Sequence, residues 1–340
     1  MSAFGVGLLS FAHSHAMGYA RDLRTDPRVK LVAAWDEDAA RGRARAAELE
    51  IPYVEQLDAL LGNPEVQGVV CNAPSSMHPE LLVAAARAGK HIFSEKVLAL
   101  TVGDCDRILE SVRQAKVQFV LSMPGLCEPE HRWLKNALET GKFGRVTYAR
   151  ARVGHLAAVE RWFDQDSWFG DPVRAGGGAL MDLGAHPVYR MRDLLGAPSS
   201  LVARMTNVTG AYGVEDNAVA VADFASGALG VIEATWADRG PQGVGIQGTD
   251  GWAWVGNPGG VVAGGPAFAG DPDAVLRGPR LPARWRRPVQ QWVDAVVEGR
   301  EPEIQPEWGR WMTEIMEAAY RSVREGRPVS WSEFSAPPVG

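Results

Sequence analysis

The chain has 340 residues, of which 46% are hydrophobic and 22% are charged, and its formal net charge is −6. This length predicts about two domains, each able to bury its own core, and the composition is typical of a globular protein. An acidic chain without a run of basic residues lacks the electrostatic footprint of a protein that binds nucleic acid or an anionic membrane, so we expect neither partner.

The three cysteines, Cys71, Cys105 and Cys127, are far apart and form no Cys-x-x-Cys pair. This spacing argues against a disulfide framework and against a structural zinc site. The opening residues carry no signal-peptide pattern, and no apolar run approaches the ~18 residues that span a bilayer. We therefore expect a reducing, cytoplasmic setting.

Short apolar runs alternate with helical patterns over the first third of the chain. The patterns predict strands at 3–10, 29–35, 66–71, 91–94 and 118–121, and helices at 16–24, 39–50, 56–61, 79–88 and 102–114. Strands that alternate with helices of this length indicate βαβ units and a parallel, doubly wound sheet. Such a sheet binds ligands at the carboxyl ends of its strands.

The turn after the first strand lacks the glycine pattern of a dinucleotide-binding loop. Where Gly-x-Gly-x-x-Gly is expected, this chain has Ser10, Ala12 and His15. The second glycine normally lets backbone reach the pyrophosphate, and the third lets the helix pack on the strand. This loop alone predicts no nucleotide site. His13 and His15 predict no metal site either, because no thiol or carboxylate lies at a matching spacing.

Asp36 follows the second predicted strand, about where an acidic residue binds ribose hydroxyls in a dinucleotide site. The stretch Asp36-Glu37-Asp38 has no arginine before Arg41, so a 2′-phosphate would be repelled there. The sequence therefore favours NAD over NADP. An alternative role, an acidic helix start that complements the helix dipole, fits Asp38 better than Asp36.

Two further motifs suggest proton chemistry. Glu95-Lys96 follows a predicted strand, where a lysine can orient or help deprotonate a hydroxyl, although the pair is also typical of a solvated ion pair.

The glycine run 176–178 predicts a close approach of backbone to another group, because glycine is unfavourable inside a helix or strand. A predicted helix follows, with Asp182 and His186 four residues apart on one face. A carboxylate beside an imidazole forms a proton-transfer pair, although a surface pair or a core histidine is also possible.

The remaining sequence predicts a domain built on a sheet. Strands are expected at 145–153, 218–224 and 228–236, a hairpin at 244–255 with its turn at Asp250-Gly251, a loop or flap at 256–282, and helices at 288–298 and 308–325. The helix at 288–298 is a candidate to pack back on the first domain.

Three stretches with these motifs occur together in one known family: 72–78 (NAPSSMH), 88–99 (AGKHIFSEKVLA) and 176–186 (GGGALMDLGAH). On these motifs the chain resembles the Gfo/Idh/MocA family, that of glucose-fructose oxidoreductase and inositol dehydrogenase. The resemblance extends over nearly the whole chain. It implies an α/β fold: a dinucleotide-binding Rossmann domain at 1–122, then an α+β domain at 123–340 with a large, open, mostly antiparallel sheet, for substrate binding and oligomerisation.

The resemblance also implies site residues. His186 would take the proton of a substrate hydroxyl, Asp182 would orient or tune it, and Lys96 would hold the hydroxyl while hydride leaves for nicotinamide. The implied cofactor site consists of Ser10, Phe11, Ala12, His13, Asp36, Ala73, Pro74, His78, Glu95 and Lys96.

Besides the loop, the chain departs from the family pattern at three places. Val97 replaces the proline that usually follows Glu-Lys, Gly125-Leu126 stands where the family often carries arginines, and Tyr189 stands where a second aspartate commonly follows the histidine. These changes affect the expected identity of the substrate more than the expected reaction class.

The main hypothesis is an NAD-dependent dehydrogenase acting on a secondary hydroxyl of a sugar, cyclitol or polyol. The alternative is a non-catalytic NAD- or ligand-binding sensor that keeps the fold, and a third possibility is transient oxidation that yields net elimination or hydrolysis. Trp162, Trp168 and Phe169 could wall a sugar ring or simply pack. An open sheet is an association surface, so we expect a homodimer or homotetramer.

Overall fold

The computed structural model describes residues 3–164, 167–257 and 259–334. The chain divides into two compact units, one formed by Met1–Met123 with Arg286–Thr313 and the other by Pro124–Trp285 with Glu314–Gly340. The division falls within a long helix, after Thr313.

The first unit is built on a parallel sheet of five strands in the order β2-β1-β3-β4-β5. The parallel pairing confirms the doubly wound fold predicted from the alternating patterns, and the interior strand β1 is buried along its whole length. The elements in chain order are β1 (Phe4–Leu9), α1 (Ala16–Arg24), β2 (Val29–Trp35), α2 (Ala39–Glu48), α3 (Leu57–Gly62), β3 (Gly68–Cys71), α4 (His78–Arg87), β4 (His91–Ser94), α5 (Val102–Ala115) and β5 (Phe119–Leu121).

The second unit carries a sheet of nine strands in the order β13-β12-β11-β10-β6-β9-β8-β7-β14. Its strands pair antiparallel except β6 with β9, which confirms the predicted mostly antiparallel sheet. Helix α8 contacts strands β6, β9 and β10. The elements are α6 (Pro129–Glu139), β6 (Val146–Gly154), α7 (Ala179–Asp182), α8 (Ala185–Leu195), β7 (Pro198–Thr206), β8 (Asn217–Phe224), β9 (Leu229–Thr235), β10 (Gln242–Gly248), β11 (Trp252–Asn257), β12 (Gly260–Gly264), α9 (Pro266–Ala269), β13 (Val275–Arg277) and β14 (Val329–Ser330).

The prediction of a loop or flap over 256–282 is wrong in part. Strands β12 and β13 and the short helix α9 lie in this stretch, and β12 pairs with β11 along the edge of the sheet. Glycine is tolerated in β12 because the indole of Trp252 occupies the space beside Gly264, where an added Cβ would lie 2.5 Å from its Nε1. The hairpin joining β10 and β11 is confirmed.

Two helices near the end of the chain complete the fold. Helix α10 (Pro288–Glu298) belongs to the first unit, and α11 (Glu307–Glu325) is the helix that contains the division. Trp292 of α10 is fully buried and lies edge-on to Phe4 of β1, with 5.1 Å between the ring centroids. None of the helices in the described part of the chain combines the length and apolar composition that a membrane span requires.

Candidate functional site

The loop after β1 keeps a glycine-like turn without glycine. Ser10 has φ of 69°, in the left-handed region that glycine favours, and its hydroxyl accepts the Ala12 N–H at 3.1 Å. The buried side-chain bond helps a non-glycine residue hold this backbone conformation. The loop therefore preserves the turn at the position of the first missing glycine.

Asp36 organises this loop from the end of β2. Its Oδ2 accepts the Phe11 N–H at 2.8 Å, and its Oδ1 accepts the Asp38 N–H at 2.8 Å. Arg41 reaches back from α2 and donates Nε to Oδ2 at 3.0 Å and Nη2 to Oδ1 at 2.6 Å. Asp36 therefore holds both the loop and an arginine, which the sequence spacing did not reveal. Asp38 caps α2 by accepting the Ala40 and Arg41 N–H groups, which is the helix-start role considered from the sequence.

The start of α1 offers donors for an anion. The backbone N–H groups of Met17 and Gly18 have no hydrogen-bond acceptor among the residues that the structure describes. An added Cβ at Gly18 would meet nothing within 4 Å, so the space beside it is open. Free N–H groups at a helix N-terminus next to a β1 turn suit a pyrophosphate. The first unit therefore fits a dinucleotide although its loop lacks all three glycines.

His13, His15 and Glu95 meet at this edge of the sheet. Their ligand atoms all lie within 4.8 Å of one another, and His15 Nδ1 lies 2.8 Å from Glu95 Oε1. Tyr19 donates its hydroxyl to the same Glu95 oxygen and lies 2.7 Å from Ser122 Oγ. The argument that no carboxylate accompanies the two histidines is therefore wrong, because the fold brings Glu95 to them from a distant part of the sequence.

This cluster is a hydrogen-bonded network around a buried carboxylate. Burial opposes the charged form of Glu95, but His13, His15 and Lys96 outweigh it and hold its pKa well below the usual range. Zinc ligands at ~2.1 Å from the ion lie about 3.4 Å apart in a tetrahedron. The distance of 2.8 Å between His15 Nδ1 and Glu95 Oε1 is shorter than this separation, so the contact is a hydrogen bond. A bound ion would have to replace it.

The residues after β3 and β4 are tied together by a buried histidine. His78 Nδ1 lies 2.8 Å from the Val97 carbonyl oxygen, and Nε2 lies 3.1 Å from that of Ala73. Burial lowers the pKa of His78. Its ring thus positions the backbone beside Pro74 and Lys96, which are both largely buried. The peptide bond between Lys96 and Val97 is cis.

In the second unit, the glycine run packs against the protein itself. A Cβ at Gly177 would lie 1.9 Å from the Tyr320 hydroxyl oxygen, and one at Gly178 would lie 2.0 Å from the Glu215 carbonyl oxygen. The Glu215 carboxylate accepts the Gly178 N–H at 2.8 Å and the Tyr320 hydroxyl at 2.7 Å. The close approach predicted from the glycines is confirmed.

Sequence reasoning missed Glu215. Its carboxylate also accepts the Leu180 N–H at 3.1 Å, so one side chain holds the start of α7. Burial raises the pKa of Glu215, although the hydrogen bonds to Tyr320 and Gly178 oppose the increase. No local pattern marks this residue, because its partners are distant in sequence.

Asp182 and His186 lie on two short helices and not on one continuous helix as predicted. Asp182 ends α7, His186 is the second residue of α8, and Leu183 and Gly184 separate them. A Cβ at Gly184 would lie 2.3 Å from the Leu180 carbonyl oxygen, so the chain turns tightly there.

His186 has a hydroxyl partner. Its Nδ1 lies 2.8 Å from the Tyr189 hydroxyl oxygen, which also accepts the Gly125 N–H at 3.0 Å. Tyr189 is fully buried. The residue that departs from the family pattern therefore contacts the predicted base directly.

A cavity of about 520 Å³ lies in the second unit beside these residues. This volume is within the range that accommodates small ligands. Its polar lining includes Glu130, His131, Arg152, His186, Tyr189 and Arg190. Trp162 is half-exposed, whereas Trp168 and Phe169 are buried and stacked on each other, so these two serve packing.

Comparisons with known proteins agree with this architecture. Residues 4–123 match the model "Oxidoreductase family, NAD-binding Rossmann fold", and residues 131–254 match the GFO/IDH/MocA C-terminal domain. The chain is 29% identical to 1,5-anhydro-D-fructose reductase of Ensifer adhaerens, over 65% of this chain and 67% of that protein. It is 26% identical to scyllo-inositol 2-dehydrogenase (NAD(+)) of Bacillus subtilis, over 96% and 95% of the two chains.

Among solved structures, the chain is similar to GenD2 from gentamicin A biosynthesis, determined in complex with NAD. The two share 28% identity with a TM-score of 0.81 over 97% of each chain. Both domain models name one family and follow each other in its order along the chain. The chain therefore belongs to the Gfo/Idh/MocA family of NAD-binding oxidoreductases.

Proposed function

We propose that the protein is an NAD-dependent dehydrogenase that transfers a hydride between nicotinamide and a secondary hydroxyl of a sugar, cyclitol or polyol. The observation that carries the proposal is the hydrogen-bonded His186–Tyr189 pair on the wall of a cavity large enough for a sugar ring. The named relatives, which are a sugar reductase and an inositol dehydrogenase, support the substrate class.

In this proposal the protein handles the proton and the orientation of the substrate. Lys96 binds the reacting hydroxyl, His186 accepts its proton at Nε2, and Asp182 tunes the imidazole. His186 can accept at Nε2 when Nδ1 carries hydrogen and donates to Tyr189. The Tyr189 oxygen has two lone pairs, so it can also accept the Gly125 N–H. Bound nicotinamide supplies the hydride chemistry.

The proposed cofactor residues remain those around the loop and the strand ends. The Ser10–His13 backbone and the start of α1 would bind pyrophosphate, Asp36 the adenosine ribose, and the Ala73-Pro74 segment with Glu95 the nicotinamide side. His78 would act by holding that backbone, since both ring nitrogens face carbonyl oxygens.

We propose NAD as the preferred form of the cofactor. The carboxylates of Asp36 and Glu37 both engage Arg41, at 2.6 Å and 2.7 Å. With Asp38 beside them, the acidic groups outnumber the one arginine, which disfavours a 2′-phosphate.

The first experiment is a titration of the purified chain with NADH and NADPH, followed by nicotinamide fluorescence. We expect micromolar NADH affinity, about −8 kcal/mol, and weaker NADPH binding. The second experiment measures turnover of inositols, aldoses and polyols with NAD, in the wild-type protein and in the His186→Ala variant. Full turnover by that variant would disprove the assignment of the base, and absence of binding by either cofactor would disprove the dehydrogenase.

The second candidate is a non-catalytic sensor that binds NAD or another ligand. It is favoured by the network at the loop, where His15 and Tyr19 already contact Glu95. A sensor would bind cofactor without turnover of any alcohol, and His186→Ala would then leave its ligand affinity unchanged.

We also propose a cytoplasmic setting and a homodimer or homotetramer. The setting is supported by Cys71, Cys105 and Cys127, which are all buried and form no disulfide with one another. Self-association is supported by apolar side chains on the open face of the large sheet.

A further inference from the structure

Gly125 and Arg190 fit together at the wall of the cavity. A Cβ added at Gly125 would lie 2.5 Å from Arg190 Nε, 2.5 Å from the Tyr189 hydroxyl oxygen and 2.7 Å from Arg190 Nη2. The φ of Gly125 is not in the left-handed region, so space and not backbone conformation explains the glycine. A side chain at this position would clash with both the guanidinium and the Tyr189 hydroxyl. The glycine is therefore what allows Arg190 to lie where it does.

Arg190 carries a charge without a protein partner. It makes no ion pair or hydrogen bond with any residue in the described ranges, and its Nε is buried without an acceptor. Its positive charge helps to lower the pKa of His131, after burial as the main cause. The buried Nε–H is unfavourable without an acceptor, because it has lost water and gained no hydrogen bond in exchange.

The other charged groups of the lining are arranged differently. Arg152 pairs with Glu233 at 3.2 Å and with Asp238, and Glu128 pairs with Arg284 at 2.5 Å. These pairs are complete within the protein. Glu130 also lines the cavity and forms no ion pair with Arg190, so it remains as an acceptor for substrate hydroxyls.

Arg190 stands beside the predicted base. It follows His186 by four residues on α8, so both side chains lie on one face of the helix, and both line the same cavity. A ligand whose hydroxyl reaches His186 can thus present a second group to Arg190. A guanidinium binds carboxylates more strongly than neutral oxygens, because its planar donors form charge-assisted pairs.

We propose that Arg190 binds a carboxylate group of the substrate, so that the oxidised alcohol is a sugar acid or polyol acid. This inference rests on the proposed function, since it assigns the cavity to the substrate of the dehydrogenase. Gly125 is part of the same subsite, because its missing side chain makes room for the guanidinium.

The test is turnover of matched substrates with NAD. D-Glucuronate is compared with D-glucose, D-galacturonate with D-galactose, and D-gluconate with D-glucitol, and the corresponding 6-phosphates distinguish a carboxylate from a phosphate. We expect the acids to be preferred. Arg190→Gln should lower kcat/KM for the acids by about 10- to 100-fold, the loss expected for a charged hydrogen-bonded contact, and so reduce the preference.

Further variants separate the role of Arg190 from a general effect. Arg190→Lys should retain part of the preference, because it keeps the charge and loses the planar fork. Gly125→Ala should reduce the preference because its Cβ displaces the guanidinium, and it should also lower kcat on neutral substrates because the same Cβ clashes with the Tyr189 hydroxyl. Arg324→Gln removes an exposed arginine of α11 that lies outside the cavity, and it should leave the preference unchanged.

The outcomes distinguish this inference from the proposed function. If NADH binds and only neutral or phosphorylated alcohols are oxidised, or if no acid is oxidised, the carboxylate subsite is wrong and the cofactor assignment stands. An equal effect of Arg190→Gln on acids and neutral partners also contradicts the subsite. If neither cofactor binds, the proposed function fails. Calorimetric titration of the same acids into wild type and Arg190→Gln then tests the carboxylate subsite. Lack of binding of the acids to wild type would overturn the subsite.

Discussion

At the scale of the residue, the Tyr189 hydroxyl sets the chemistry available to His186. When Nδ1 donates to this hydroxyl, Tyr189→Phe removes a hydrogen bond that favours one imidazole tautomer and that stabilises the charged ring. We expect kcat to fall about 10-fold, with a changed pH profile of kcat and unchanged NADH affinity. Tyr53→Phe, on the first unit, is the matched control, because the Tyr53 hydroxyl makes no hydrogen bond in the described ranges. An unaltered kcat and pH profile for Tyr189→Phe would remove the hydroxyl from the mechanism.

The Asp36 carboxylate holds both the loop and Arg41, and one substitution removes both contacts. Asp36→Ala removes one of the two carboxylate partners of Arg41, leaving Glu37, and removes the acceptor for the Phe11 N–H. We expect weaker NADH binding and a shift of the affinity ratio toward NADPH, because the Arg41 donors that Asp36 had accepted can then pair with a 2′-phosphate. Fluorescence titration with both cofactors measures the ratio.

The control for that titration is Asp38→Ala, which removes the cap of α2. It should lower the free energy of unfolding by about 1 kcal/mol and leave the affinity ratio unchanged. If NADH binds to Asp36→Ala as tightly as to wild type, the assignment of Asp36 to the ribose is wrong.

At the scale of the element, the glycine run joins α7 to Tyr320 of α11. Gly177→Ala should destabilise the fold by about 1–3 kcal/mol or more, because its Cβ would overlap the Tyr320 hydroxyl. Combining Gly177→Ala with Tyr320→Ala should recover part of this loss, as measured by a double-mutant cycle in urea. Gly103→Ala in α5 is the control, since its Cβ meets nothing within 4 Å, and it should be neutral or stabilising. Additive costs in the cycle would contradict a steric origin.

Helices α6 and α8 are joined by a titratable contact. His131 Nε2 lies 2.8 Å from Asp193 Oδ2, and burial lowers the pKa of His131 despite this partner. A histidine whose folded pKa is lowered contributes stability above its unfolded pKa of about 6.5 and loses it as pH falls through the folded pKa. We therefore expect the urea midpoint to fall as the pH is lowered below about 6.5, and to fall less in His131→Gln. The same decrease in both proteins would exclude His131 as the cause.

Much of this architecture follows from local patterns, and much of the site does not. The apolar runs of β1, β3 and β4 predict a buried parallel sheet because each is short, continuous and followed by a helix. Glu215 carries no such signal, because its partners Gly178 and Tyr320 are brought to it only by the folded chain. The roles of Arg41 and Arg190 could not be predicted from local patterns for the same reason, because they depend on what the folded chain places beside each guanidinium.

At the scale of the whole molecule, the large sheet leaves apolar side chains on its open face. Val219, Leu229 and Trp252 lie on this face and are 45%, 44% and 39% exposed. We expect Val219→Glu with Leu229→Glu to convert a dimer or tetramer to monomers in light scattering, because charges at an apolar interface oppose its burial. Val173→Glu is the control, since Val173 is 77% exposed but lies outside the sheet. A wild-type monomer would disprove the association.

The discontinuous first unit has a consequence for synthesis on the ribosome. Its sheet is complete once residue 121 has emerged, yet Trp292 of α10, which packs against Phe4 and beside Gly68, is translated about 170 residues later. Domains generally begin to fold as the chain emerges, at about 5–20 residues per second. Apolar surface of the sheet therefore stays uncovered for about 10–30 seconds, while every strand of the second sheet except β14 is being made. During that interval the nascent chain is a substrate for chaperones, and a chain truncated before α10 would keep that surface exposed.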